Sequence, residues 1–213
     1  MSRFLIGLLS CHKHRDRDLL ALETWIPVAR ALGMRVVFLV GDGPGKWFPF
    51  QDGDYLHCPC PDTYPALPQK TRAFCRWALS QPDWTWLCKA DNDTLIVPYR
   101  LQDCAQAIPE GVDYFGAEWK PKVAYASGGA LFGLARRATA IVARDLTARV
   151  GAEDLLVGKL LRRAGIPMHI DPRFVPFGNE QRRPLPDNGL ITTHKIPDAL
   201  WRETWAAFTP ARI

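Results

Sequence analysis

No run in this sequence approaches the ~20 apolar residues that a membrane-spanning helix needs. The N-terminal "FLIGLLS" is too short for that and slightly short for the core of a secretory signal. "CHKHRDRD" follows it, where a cleavage site would show small residues. A buried first strand is the expectation, in a protein without its own membrane anchor. Nothing repeats, no segment is of low complexity, and no block of like charge resembles a nucleic-acid arm. The six cysteines (Cys11, Cys58, Cys60, Cys75, Cys88 and Cys104) are scattered, mostly through apolar segments. Without a secretory signal this predicts free thiols in a reducing compartment. The expected location is cytoplasmic, or peripheral at a membrane surface.

Three nucleotide and catalytic signatures are missing as well. "GDGPGK" follows an apolar run, but three residues separate Gly41 from Gly45, and Trp47 follows Lys46. A phosphate loop needs four residues there and a Ser or Thr after the Lys, and no third glycine opens a dinucleotide-binding helix. No "GxSxG" is present, which excludes the usual hydrolase elbow. His57-Cys58-Pro59-Cys60 lacks the second ligand pair of a zinc site.

What remains is a chain of 213 residues, 47% hydrophobic and 23% charged, with a formal charge of +5. That is enough for one domain over residues 1–213, with a surface that favours anions. "RFLIGLLS" reads as a strand, "RDLLALETWIPVARALG" as one amphipathic helix closed by Gly33, and "MRVVFLVG" as a second strand. A loop, "GDGPGKWFPFQDGD", leads to a short strand, "YLHC", then to a helix from Pro68, then to the strand "WTWLCKA". "PYRLQDCAQAI" predicts a helix, "VDYFGAEW" a strand, and "YASGGALFGLARRATAIVARDL" a glycine turn, a strand and a helix. "EDLLVGKLLRRAG" predicts a helix whose Leu155, Leu156, Leu160 and Leu161 form the apolar face. Residues 172–189 read as irregular, and "PDALWRETWAAF" as a last helix. The expected class is α/β: a mixed, mostly parallel sheet flanked by helices, Rossmann-like, in a single domain.

The stretch "WLCKADNDTLIVP" carries the chemistry. Asp91 and Asp93 flank Asn92 at the exit of a buried strand, and residues two apart in an extended segment share a side. Open α/β sheets bind ligands at that end, and paired carboxylates call for a cation such as a divalent metal on a nucleoside diphosphate. A solvated, inert Asp-rich turn is the competing reading of the tripeptide alone.

Seven segments in fixed order, "RDRDLLALETW", "RVVFLVG", "DTYPALPQKT", "KADND", "YASGGA", "EDLLVGKLLRRAGI" and "THKI", make the chain resemble glycosyltransferase family 31. Those are the β-1,3-galactosyltransferase and Fringe enzymes, and the resemblance runs from about Phe4 to Trp205. It implies the GT-A fold and a "DxD" motif that holds a UDP-sugar through Mn²⁺, with Mg²⁺ as the alternative ion. It makes Asp93 the direct metal ligand, with Asp91 beside the ribose or a metal-bound water and His194 completing the site. An imidazole ligand favours Mn²⁺ over Mg²⁺. Ser127, Gly128 and Gly129 match the turn beside the donor sugar, although a plain hairpin would also suit them. Lys70 matches a residue near the diphosphate. Asp154, with Glu153 as its substitute, matches the general base of an inverting transfer, against the simpler reading of both acids as helix-start charges. Trp119 is the tryptophan placed to stack on a sugar. The chain departs from the family in having Asn92 where Asp is frequent, no anchor or stem, and a shorter stretch between Trp119 and Tyr125.

The function implied is an inverting UDP-sugar glycosyltransferase making a β-linkage, β-1,3 included. A nucleotidyltransferase and a catalytically silent nucleotide-sugar binding module are the alternatives. The acceptor stays open among glycan, lipid-linked glycan, protein, small molecule and nucleic acid.

Overall fold

The computed structural model describes residues 3–43, 48–119, 125–148, 150–176 and 189–208. Strand β1 (Phe4–Leu9) lies at the centre of an eight-stranded sheet. Its neighbours are β2 (Arg35–Gly41) and β5 (Trp86–Asp91), both parallel to it. Outward from β2 come β4 (Tyr55–Cys58), parallel, and β3 (Phe50–Asp52), antiparallel. Outward from β5 come β8 (Phe132–Leu134), β7 (Tyr114–Gly116) and β9 (His169–Ile170). A second sheet joins β10 (Phe174–Val175), β11 (Thr192–His194) and β6 (Thr94–Ile96).

The apolar run of β1 is buried on both faces, as a central parallel strand requires. Its alternation divides the core in two. Phe4, Ile6 and Leu8 face a cluster completed by α1 (Arg15–Glu23), α2 (Trp25–Ala31), α4 (Pro98–Ala107) and α7 (Trp201–Phe208). Leu5 and Leu9 face α3 (Leu67–Leu79), α5 (Arg136–Asp145) and α6 (Glu153–Arg163). Gly7 permits this close approach, because a Cβ there would lie 2.6 Å from the Phe74 ring.

The α/β class and mostly parallel sheet are as expected, and several local readings are corrected. The first helix is two helices. Thr24 (φ −115°, ψ −92°) breaks it, and the Thr24 hydroxyl accepts from the Trp201 indole at 2.9 Å. Phe50–Asp52, read as loop, pairs with β4. The buried stripe of α6 is Glu153, Val157, Gly158 and Leu161, whereas Leu155, Leu156 and Leu160 are only half-buried. Gly158 lets that stripe sit against Tyr125, whose Cβ a side chain there would overlap. Residues 174–175, within the stretch read as irregular, form β10, while 177–188 lie outside the described residues. So do 44–47 of the glycine loop and 120–124 beyond Trp119. No helix among the described residues is long and apolar enough to cross a membrane.

Candidate metal and nucleotide site

Leu87, Lys89 and Asp91 alternate onto the face of β5 that meets α3, α5 and α6. The strand stops at Asp91, and Asn92 and Asp93 form a tight turn into β6. Asp91 and Asp93 therefore do not share a side of one extended segment. The turn swings Asp93 back, and the antiparallel register of β6 with β11 sets His194 opposite Thr94, the next residue. Both carboxylates then converge on the imidazole. His194 Nε2 is 3.1 Å from Asp93 Oδ1 and 3.6 Å from Asp91 Oδ2.

One ligand atom from each of these three residues lies within 4.8 Å of the others. Two observations fit the group to a cation. Asp93 Oδ1 is buried and, apart from His194 Nε2 at 3.1 Å, has no polar partner. His194 Nδ1 lies 2.9 Å from the Pro176 carbonyl, a contact that places a proton on Nδ1 and leaves Nε2 as the ring nitrogen facing the acids. Burial pulls the His194 pKa down, but Asp93 and Asp91 outweigh it and hold the ring above its ordinary value. Burial likewise pushes Asp93 up, and His194 with Arg17 brings it below the usual carboxylate range.

The glycine turn closes the site from the other side. A Cβ on Gly129 would overlap the His194 ring, and one on Gly128 would lie 2.9 Å from both Lys89 Nζ and Glu153 Oε2. The Gly129 carbonyl accepts from the Asp91 amide (3.2 Å) and the Thr94 hydroxyl (2.7 Å), tying the glycine turn to the strands on either side of the acidic turn. Ser127 is buried, its backbone bonded to Ala117 and its hydroxyl 3.4 Å from the Ala130 amide, so it shapes the turn.

Lys89 was invisible to the motif reading, although a charge inside the apolar strand "WTWLCKA" was its signal. Its buried ammonium donates to Asp91 Oδ1 (3.0 Å), the Gly128 carbonyl (3.0 Å) and Glu153 Oε2 (3.1 Å). Glu153 Oε1 accepts from the Thr71 hydroxyl at 2.9 Å, so both its oxygens are engaged. Asp154, one residue on, is half-buried and accepts from the Leu155 amide (2.8 Å) and the Gly128 amide (3.3 Å).

A cleft of ≈ 280 Å³ opens beside the acids, lined among others by Ser10, Asp62, Tyr64, Lys70, Asp91 and Asp93. Lys70 Nζ reaches it already bonded to Asp62 Oδ1 (2.6 Å) and the Ser10 carbonyl (2.7 Å). Asp62 also accepts from the Gly41 and His12 amides, which pins the ends of β1 and β2 to the start of α3. Arg72 points elsewhere, to the Ala143 and Arg144 carbonyls. Asn92 lines the cleft, but its amide bonds Asp18 Oδ1 at 2.9 Å, on the opposite side of the sheet from Lys89.

No family model matches the chain. Solved structures do. The catalytic domain of Drosophila β1,4-galactosyltransferase 7, in complex with xylobiose, aligns over 97% of this chain and 80% of its own (TM-score 0.53, 12% identity). A glycosyltransferase involved in glycosylating the major capsid of PBCV-1 covers 95% and 99% (TM-score 0.56, 12% identity). The inositol-1-phosphate CTP transferase of T. maritima covers 99% and 97% (TM-score 0.50, 10% identity). The chain has the GT-A fold of nucleotide-sugar transferases. At these identities the likeness fixes the fold and leaves the reaction to the site.

Proposed function

We propose that the protein is a metal-dependent, inverting glycosyltransferase that moves a sugar from a UDP-sugar to an acceptor hydroxyl, forming a β-linkage. The assignment to glycosyltransferase family 31, and with it a β-1,3 linkage, belongs to this proposal and rests on the motif order alone. The observation that carries the reading is the convergence of Asp91, Asp93 and His194 beside the cleft, with one ligand atom from each within 4.8 Å of the others. Two carboxylates and an imidazole suit Mn²⁺ better than Mg²⁺. When bound, such an ion neutralises the charge that develops on the departing diphosphate.

The chain's own residues supply the rest. Lys70 and the β1 end face the cleft where the nucleoside diphosphate would lie. Gly128 and Gly129 bring backbone, free of side chains, against the donor sugar. Asp154 accepts the acceptor hydroxyl proton on a lone pair that its two backbone bonds leave over. The acceptor oxygen then forms a bond to the anomeric carbon as the bond to the diphosphate breaks, and attack opposite the leaving group inverts that carbon. Glu153, held by Lys89 and Thr71, positions the start of α6 and does not take the proton.

Calorimetry of UDP binding with and without Mn²⁺, together with transfer assays, tests this. Asp93→Asn should remove the Mn²⁺ dependence of UDP binding. Asp154→Asn should keep it and lower turnover by about 10²–10⁴-fold. UDP affinity indifferent to Mn²⁺ in the native protein would refute the metal site.

The fold shared with a CTP transferase favours one second reading, nucleotidyl transfer. The products separate the two, since a glycosyltransferase releases UDP and a nucleotidyltransferase releases pyrophosphate.

A further inference from the structure

The two helical layers differ in charge. Helices α3, α5 and α6 together hold nine Lys and Arg against three acids. Two of those acids, Glu153 and Asp154, are turned into the site, and the third, Asp145, is paired with Arg144. Helices α1, α2, α4 and α7 on the other face hold five bases against five acids. The formal excess of one layer therefore matches or exceeds the +5 of the whole chain.

Lys70 is buried at the cleft and Arg72 is half-buried, but the other seven cations of this layer are exposed, Arg137 and Arg144 in ion pairs with Asp113 and Asp145. Lys159, Arg162 and Arg163 are exposed at the end of α6, and among the described residues their side chains make no hydrogen bond or ion pair. Arg76 is exposed on α3, its guanidinium 4.7 Å from the centre of the Phe48 ring, itself 66% exposed. Arg136 on α5 lies 4.6 Å over Trp84. Cations spread over three packed helices do not converge on one small anion. They match an extended array of negative headgroups, with an aromatic such as Phe48 at the level where amphipathic rings enter a lipid interface.

We propose that the α3–α5–α6 layer is a docking surface for an anionic membrane. The inference is independent of the transferase reading, since Arg76, Arg136, Lys159, Arg162 and Arg163 neither line the cleft nor pair with Asp91 or Asp93. Each basic side chain near an anionic bilayer is worth about fivefold in partitioning. Removing three should lower it on the order of a hundredfold.

The full chain would be sedimented with vesicles of phosphatidylcholine alone and of phosphatidylcholine with phosphatidylglycerol, at low and high salt. Binding to the anionic vesicles only, lost at high salt, is the expected result. The variant Lys159→Gln/Arg162→Gln/Arg163→Gln should lose it, while Arg30→Gln/Arg202→Gln, on the other layer, should retain it. UDP binding should be the same in all three proteins. Equal binding to neutral vesicles, or no effect of the α6 variant, would overturn the proposal. So would competition by duplex DNA that strips the protein from vesicles and binds it more tightly, which would assign the face to nucleic acid.

Discussion

Lys89→Met is the substitution that tests the site's internal architecture most directly. The Lys89 ammonium has three protons and three acceptors, so nothing in its environment is unsatisfied. Its partners are unequal. The Asp91 side chain is 33% exposed and can turn to water, whereas that of Glu153 is 3% exposed and cannot. Burial works against the charge on Lys89, but the two carboxylates outweigh it and hold the ammonium above its ordinary pKa. Met keeps the length of the side chain and removes the charge, leaving Glu153 buried and unpaired. Removing one partner of a buried ion pair costs about 3–5 kcal/mol. At about 2–4 °C per kcal/mol for a chain of this size, the melting temperature should fall by on the order of 10 °C.

The double variant Lys89→Met/Glu153→Gln separates charge from packing. The glutamine side chain keeps an oxygen for the Thr71 hydroxyl while carrying no charge, so the double variant should recover more than half of the loss. Urea unfolding followed by tryptophan fluorescence at neutral pH gives all four corners of the cycle. A loss below about 1 kcal/mol in the single variant, with no recovery in the double, would mean that Glu153 is not charged in the native protein. The account of the α6 start given above would then be wrong.

Asp62 predicts the acid limb of stability. Burial pushes its carboxyl up, but Lys70 and the Gly41 and His12 amides bring it below its ordinary 3.8. A folded pKa below the unfolded one stabilises above the unfolded value and ceases to as pH falls through the folded one. Asp62→Asn should therefore flatten the loss of stability below about pH 4, read from urea midpoints across that range. All six thiols are free, and burial pushes Cys60 up to about 11 and Cys104 up to about 12. Iodoacetamide on the native protein should label Cys11, the one cysteine not fully buried, and label six only after denaturation, as read by intact mass. Asn92→Asp should lower the melting temperature, and Asp18→Asn in the same chain should restore most of it.

The long elements were legible because the central strands are unbroken apolar runs and the helices have apolar residues at helical spacing. β1, β2, β5 and α3 to α6 all sit where apolar spacing puts them. Of the strands of two or three residues, β7 and β8 were legible, whereas β6, β9, β10 and β11 were not, since they owe their form to partners far along the chain. The face of α6 was misjudged for a related reason. Its inward stripe begins with Glu153, and only Lys89 and Thr71, 64 and 82 residues away, make that carboxylate tolerable in the interior. The acids, the glycine turn and His194 were legible as motif residues. How they meet was not, because the β6–β11 register that brings His194 to Asp93 has no local signal.

Asn92, the middle residue of the acidic tripeptide, is set by a neighbour. Its amide reaches across the end of the sheet to Asp18, which is fully buried and also accepts twice from the Ser10 hydroxyl, at 2.7 and 2.9 Å. Burial pushes the Asp18 carboxyl up, and the bonds from Asn92 and Ser10 oppose that. A carboxylate at position 92 would replace a donor by a second negative charge about 3 Å away, which Arg15, already acting on Asp18, would have to offset for both. The middle residue of "DND" thus answers to Asp18 on α1, while the outer two converge on His194 and Asp93 also pairs with Arg17 of α1. One tripeptide joins the two layers of the fold: the Asn92 amide anchors the turn to Asp18 on one side, and the Asp91 carboxylate accepts from Lys89 on the other. An amide at 92 is what Asp18 demands, and on this geometry the pair changes together or not at all.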